Sequence, residues 1–202
     1  TAFSYQVSDG NLFSTPATVS ISITPVADAP LLQASVSTAQ VSMTQLFLSN
    51  FDSTPSLPTN QNFYASADGW SPGTGATAIE VRDSTHNSSS EQGYSGTRYV
   101  ELNSATAFAN TPSISRTVAT EAGNFYTLSF QYTPRPGYGA DVNIFEVLVD
   151  GKVVGTFSAN GTGLSTTSWR EGSVNFIGTG ANQTIELREA SNADQADGRG
   201  MF

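Results

Sequence analysis

The sequence predicts an all-β sandwich, on three observations. Short stretches of alternating apolar and polar residues recur along the 202-residue chain. Turn signals built from Gly, Pro, Asn and Asp separate them at spacings of about 8 to 15 residues. No stretch repeats its apolar residues at the 3.6-residue period of an amphipathic helix.

Taken in order, Phe3 to Val7 and Ala17 to Thr24 read as two strands around a turn at Asp9-Gly10-Asn11, and Pro25 and Pro30 punctuate a linker. Ala34 to Leu48 is a candidate strand of mixed period. Asn50 to Gly75 is rich in Pro, Asn, Ser and Gly and reads as a long ordered loop pinned by Phe51, Phe63 and Trp70. Ala78 to Arg82 and Thr97 to Leu102 are strands on either side of the polar loop Asp83 to Gly96. Ser113 to Val118 is another strand. Phe125 to Tyr132 alternates cleanly, with Leu128, Phe130 and Tyr132 on one face and Thr127, Ser129 and Gln131 on the other. Phe145, Val147 and Val149 repeat that pattern, and Asp150-Gly151 is the dipeptide of a two-residue hairpin returning through Lys152 to Phe157. Ser173 to Ile177 pairs with Gln183 to Arg188 across a Gly-rich turn, and an acidic segment, Asn192 to Gly200, follows.

Charged residues are only 12% of the chain and the formal net charge is −9. An acidic chain is not drawn to nucleic acid or to an anionic membrane surface, whereas it suits divalent cations. No cysteine is present, so disulfides and thiolate metal sites are excluded and calcium is the expected staple. No apolar run approaches the roughly 18 residues that cross a bilayer. A basic segment followed by an apolar one is also absent at the N-terminus, so an export signal is expected elsewhere.

Oxygen-rich acidic loops nominate Asp52, Asp68, Asp83, Glu101, Asp194 and Asp197 as calcium ligands. Asn192 to Gly198 carries oxygens at alternate positions and ends in glycine, but lacks the full EF-hand spacing. A sugar site needs an aromatic face beside planar polar groups. Trp70, Tyr94, Tyr138 and Trp169 offer the face, and Glu80, Arg82, Arg135, Glu146 and Arg188 the grip. Glu80 and Arg82 alternate with Ile79 and Val81, so both charges are expected on the strand's outer surface, as for Glu186 and Arg188. On such a wet face cross-strand ion pairs are the plain alternative to a ligand role. Arg135, between two prolines in Thr133 to Asp141, has little local structural use and reads as a ligand contact. His86 sits among serines with no motif around it. One histidine and no cysteine exclude a zinc motif, and neither a G-x-S-x-G elbow nor a phosphate loop occurs, so the chain is expected not to be an enzyme.

Residues 1–30, with F-x-Y-x-V-S-D-G followed by A-T-V-x-I-x-I-x-P-V-x-D-A-P, resemble the last hairpin of the cadherin-like and immunoglobulin-like stalk repeats of large RTX-type bacterial surface adhesins. In that resemblance Asp28 helps bind calcium at the junction between repeats, or is simply a linker residue. A full repeat needs roughly 100 residues, so these thirty imply adjacent domains of the same long chain. Residues 50–202 resemble galactose-binding-like jelly rolls, the ligand-binding modules of adhesins and carbohydrate-active proteins. The resemblance rests on Asn50-Phe51-Asp52, Gly69-Trp70, Ile79-Glu80-Val81, Tyr99 to Asn103, Ile114 to Phe130, Arg135-Pro136-Gly137 and Phe145-Glu146-Val147. It implies a domain over 31–202, a structural calcium, and a ligand held by loops at one end or on the concave sheet. A last strand after Met201-Phe202 is expected and absent from the sequence. Together these imply an extracellular, non-catalytic, calcium-dependent module on a bacterial cell surface, serving attachment and biofilm. The expected ligand is a cell-surface glycan, held near Glu80, Arg82, Tyr94, Arg135, Tyr138 and Glu146. A peptide or protein terminus and a structural spacer are the competing roles.

Overall fold

The computed structural model describes residues 2–22, 43–55, 59–86, 91–102 and 112–190. The chain is all β, and it divides into two compact units, Thr1–Met43 and Thr44–Phe202. The boundary expected near residue 30 falls outside the described residues.

In the first unit, strands β1 (Ala2–Tyr5) and β2 (Ala17–Ser20) pair antiparallel with Phe3 opposite Val19 and Tyr5 opposite Ala17. The turn forms where the sequence places it. Asp9 Oδ1 accepts the backbone N–H groups of Asn11 and Leu12, both at 2.9 Å, and those hydrogen bonds lower the Asp9 pKa. Gly10 takes the positive φ of 99° that the turn requires.

The second unit contains β3 (Gln61–Tyr64), β4 (Ser71–Pro72), β5 (Ile79–Asp83), β6 (Arg98–Glu101), β7 (Ser113–Ala119), β8 (Phe125–Tyr132), β9 (Ile144–Val149), β10 (Lys152–Ser158), β11 (Arg170–Ile177) and β12 (Asn182–Glu189). They assemble as a five-stranded sheet in the order β10-β9-β12-β7-β4, a pair β11-β8, and a three-stranded sheet β3-β5-β6. Every pairing is antiparallel. The Asp150-Gly151 hairpin is realised with φ of 51° and 76°, the two positive values its turn type demands.

Alternation decides what is buried. Leu128, Phe130 and Tyr132 of β8 meet Phe145 of β9 and Phe157 of β10. Phe130 lies edge-on to Phe157 at 4.9 Å, and Phe145 stacks on Phe157 at 5.4 Å. Trp70, Ile79, Val81, Val100, Ile114, Val147, Val174 and Ile185 complete the same core, each large side chain contributing about 1.5–3 kcal/mol. Trp70 is thus a core anchor, its indole N–H given to Ser49 Oγ at 3.0 Å. Gly155 and Gly172 are required here by close approach: a Cβ at Gly172 would overlap the Phe130 ring, and one at Gly155 would overlap Val174 and Phe157.

Three expectations change. The stretch Asn50 to Gly75 is not one loop, because Gln61–Tyr64 pairs with β5 and Ser71–Pro72 with β7. These strands are too short, and too closely flanked by turn residues, to show a period. Residues 43–48, the described part of the candidate strand ending at Leu48, are irregular. Ser84–His86 is a single 3₁₀ turn, begun where Asp83 Oδ1 accepts Thr85 N–H at 2.9 Å.

Candidate functional site

The pairing of β5 with β6 sets Glu80 opposite Glu101 and Arg82 opposite Tyr99, so these four side chains share the face of the three-stranded sheet that Ile79, Val81 and Val100 do not use. The sequence pattern predicts that face to be wet. It is buried: all five residues of β5 are buried, Glu80 with 2% and Arg82 with 7% of its surface exposed. The cause is a second layer. Glu91, Gln92, Arg135 and Trp169 arrive from three loops and close over the charges.

Arg82 is the hub of that layer. Its Nη1 donates to Glu101 Oε2 at 2.6 Å and Glu80 Oε1 at 3.2 Å, and its Nη2 donates to Glu91 Oε2 at 3.0 Å. Tyr99 hydroxyl donates to the same Glu91 oxygen at 3.1 Å, and Arg135 pairs with Glu101 Oε1. Three carboxylates thus face two guanidinium groups in a site largely removed from water. Burial, and then the neighbouring Glu80 charge, push Glu101 up to about 8 against the pull of Arg135 and Arg82. Burial alone would lower the Arg82 pKa, but Glu101, Glu91, Tyr99 and Glu80 outweigh it and hold the guanidinium charged. Burial, then Glu91, raise the Tyr99 phenol well above its ordinary range, so it stays a hydrogen-bond donor.

Aromatic rings lie against this layer. Trp169 is edge-on to Tyr99 and to Tyr94, both at 6.1 Å between ring centroids. Tyr94 is 58% exposed and Trp169 half-buried. The carbonyl of Gln92 fixes the indole by accepting Trp169 Nε1–H at 2.8 Å, and it accepts Thr167 hydroxyl at 3.1 Å. Gln92 N–H returns a bond to Thr167 Oγ1 at 3.0 Å, closing a clip between segments 75 residues apart in sequence.

The loop bearing Arg135 and Tyr138 is built on Asn143, which is fully buried. Its Oδ1 accepts Arg135 N–H at 2.8 Å, and its Nδ2 donates to the carbonyls of Tyr138 and Gly139. Gly161 threads alongside through hydrogen bonds with Gly137 and Tyr138. Ser168 N–H donates to the buried Thr133 Oγ1 at 2.8 Å, tying this loop to the Trp169 segment. Arg135 lies with its guanidinium carbon 5.9 Å from the Tyr138 ring centroid.

No protein-family model matches the chain, and no curated protein matches it. Solved structures do. A family 35 carbohydrate binding module from Clostridium thermocellum is 18% identical over 66% of this chain and 88% of its own, with a TM-score of 0.40. A family 35 carbohydrate binding module from an environmental isolate is 20% identical over 52% and 71%, with a TM-score of 0.37. The cleaved adhesin domain of Lys-gingipain from Porphyromonas gingivalis is 13% identical over 68% and 85%, with a TM-score of 0.35.

Of the residues singled out in the sequence, Glu80, Arg82, Glu101 and Arg135 meet in one cluster, and Tyr138 and Tyr94 lie beside it. Their states differ from expectation. Arg135 is an ion-pair partner of Glu101, and the Glu101 oxygens face two arginines rather than a group of other acids. Glu146 stands elsewhere, on the five-stranded sheet, paired with Arg188 at 2.7 Å and half-buried like it. Asp52 is exposed. Asp68 is spent on turn geometry, accepting the N–H groups of Asn50 and Phe51 and the Ser53 hydroxyl. Asp83 is held ionised below the usual carboxylate range: burial raises its pKa, but hydrogen bonds from Thr85 and Arg98 outweigh it. Asp28, Asp194 and Asp197 lie outside the described residues. Among the described residues no three carboxylate or imidazole groups converge as a metal site. Sequence reasoning missed Glu91, Gln92 and Tyr99. The signal for Tyr99 was available, since Tyr99-Val100-Glu101 alternates in step with Glu80-Val81-Arg82; Glu91 and Gln92 sit in a polar loop with no period to mark them.

Proposed function

We propose that the second unit is a non-catalytic glycan-binding module, with Tyr94 and Trp169 as the surface that takes a sugar ring. One observation carries this reading: an exposed tyrosine is set edge-on to a tryptophan whose indole is fixed by a backbone carbonyl, directly beside a buried polar cluster. A pyranose offers an apolar C–H face and a rim of hydroxyls, and a rigid aromatic pair with adjacent polar groups matches both. The two guanidinium groups nearest the rings already face carboxylates, which favours a neutral glycan over a peptide carboxylate. A spacer domain has no use for an exposed aromatic held this way.

We extend the reading to an extracellular adhesin of a bacterial surface, on the resemblance of residues 1–30 to stalk repeats, and to calcium dependence through the oxygen-rich segment 192–198. Glycan-array binding with Tyr94→Ala as comparator tests the core of it. The parent chain should give a glycan hit that Tyr94→Ala loses while its melting temperature stays unchanged. A hit that survives Tyr94→Ala overturns the assignment of the surface, and melts with calcium and with EDTA test the cation.

A further inference from the structure

The rings of this surface come from different parts of the chain: Tyr94 follows β5 in the polar loop, and Trp169 precedes β11. What holds them in register is a short buried chain of bonds. Arg82 and Tyr99, on neighbouring strands, both donate to Glu91 Oε2, at 3.0 and 3.1 Å. Glu91 is covalently followed by Gln92, whose carbonyl receives the Trp169 indole and the Thr167 hydroxyl. Tyr99, besides donating to Glu91, supplies the ring against which Trp169 packs edge-on. From these distances we infer that Glu91 is the positioning residue of the aromatic surface: its carboxylate anchors the 91–94 segment to the strand framework and so sets where both Tyr94 and Trp169 stand. The inference rests on the proposed glycan surface for its functional meaning, but its geometry does not.

Glu91 suits this task because it is short of water and bound by two donors of different elements. A loop fixed only by contacts within itself could shift as a body, whereas a carboxylate tied to two strands cannot move without breaking charge-assisted hydrogen bonds. Gln92 then transmits the position through its peptide group, so the anchor does not depend on the Gln92 side chain. The arrangement resembles the supporting shell of a metal site, in which groups that never touch the ligand decide where the contacting groups lie.

Acrylamide quenching reads the arrangement without any ligand. The chain has two tryptophans, and Trp70 is 3% exposed, so the quenchable emission reports Trp169. Glu91→Ala should make that emission several-fold more quenchable and shift it to the red, and Glu91→Gln, which keeps an acceptor for Tyr99 and Arg82, should restore most of the native response. Thr167→Val, which removes the hydroxyl arm of the clip without touching the charges, should give the same change in smaller degree. On a glycan the parent binds, Glu91→Ala should weaken binding about tenfold or more, the size of effect expected when one anchoring hydrogen-bonded group is lost, with Glu91→Gln recovering most of it. Unchanged quenching in a folded Glu91→Ala protein overturns the inference. Should that variant fail to fold, native quenching in Thr167→Val overturns it instead. A parent chain silent on every glycan, with the quenching changes present, leaves the positioning role standing and removes the glycan reading alone.

Discussion

Replacing Arg82 with methionine should be among the most damaging single changes in the second unit. The residue contacts three carboxylates, at 2.6, 3.0 and 3.2 Å, and both it and its partners are almost entirely removed from water. Methionine keeps the aliphatic stem, so packing is largely retained and the lost quantity is charge compensation. Glu80, Glu91 and Glu101 would then face Arg135 as the remaining guanidinium of the cluster. Removing one partner from a buried ion pair costs about 3–5 kcal/mol, because the charge left behind is uncompensated. For a unit of this length each kcal/mol moves the melting temperature by 2–4 °C, so Arg82→Met should lower it by roughly 6–20 °C at pH 8. The deficit should shrink at pH 5, where the carboxylates can take up protons. The triple variant Arg82→Met, Glu91→Gln, Glu101→Gln should recover part of it, since a neutral buried cluster carries no stranded charge. Arg188→Met supplies the contrast: its pair with Glu146 is partly exposed, and such pairs are worth about 0–1 kcal/mol. Calorimetry at both pH values measures all four proteins. If Arg82→Met melts no lower than Arg188→Met at pH 8, the cluster does not stabilise the fold in the way argued.

Two further outcomes follow from the same geometry. Glu101 holds its proton up to about pH 8 in the folded protein but only to about 4.5 in the unfolded chain, so the folded state binds more protons between those values. Its contribution to stability is therefore fully present below about 4.5 and is lost as pH rises through about 8; urea midpoints should fall from pH 6 to pH 9, less steeply in Glu101→Gln, and equal slopes would sink this assignment. Gly172→Val replaces a residue poorly suited to strands with a favoured one, yet the new side chain would strike the Phe130 ring. It should destabilise by about 1–3 kcal/mol, read as a lower urea midpoint at unchanged slope, and a stabilised variant would show that the ring has room to turn.

The parts of this fold legible in the sequence are those where one face is apolar and the other wet. Phe125 to Tyr132 runs over the same residues as β8, and Asp150-Gly151 announced its turn because few dipeptides accept two positive φ values. Strands β3 and β4 were illegible for the opposite reason: at four and two residues they are shorter than the window in which alternation can be recognised. The site was half legible. Alternation put Glu80 and Arg82 together on a non-core face, which is correct, but a period says nothing about what will cover that face. Burial there depends on Glu91, Arg135 and Trp169, which are remote in sequence and enter by loops whose conformation is set by Asn143 and by the clip at Gln92. Arg135 looked like a residue without a structural partner because its partner, Glu101, lies 34 positions away.

The second layer over β5 has a consequence for engineering. In an ordinary two-layer sandwich the end loops can be exchanged much as tool heads are swapped on a handle, since the framework beneath them is inert. Here the handle is live. Arg82 presents its charge to the segment that carries Glu91, and Glu101 to the loop that carries Arg135. A transplanted loop lacking either residue would strand the other half of the pair in the interior. Libraries that vary Tyr94, Tyr138 and their exposed neighbours while keeping Glu91, Gln92, Arg135 and Asn143 fixed should therefore yield folded proteins far more often than libraries that exchange whole loops.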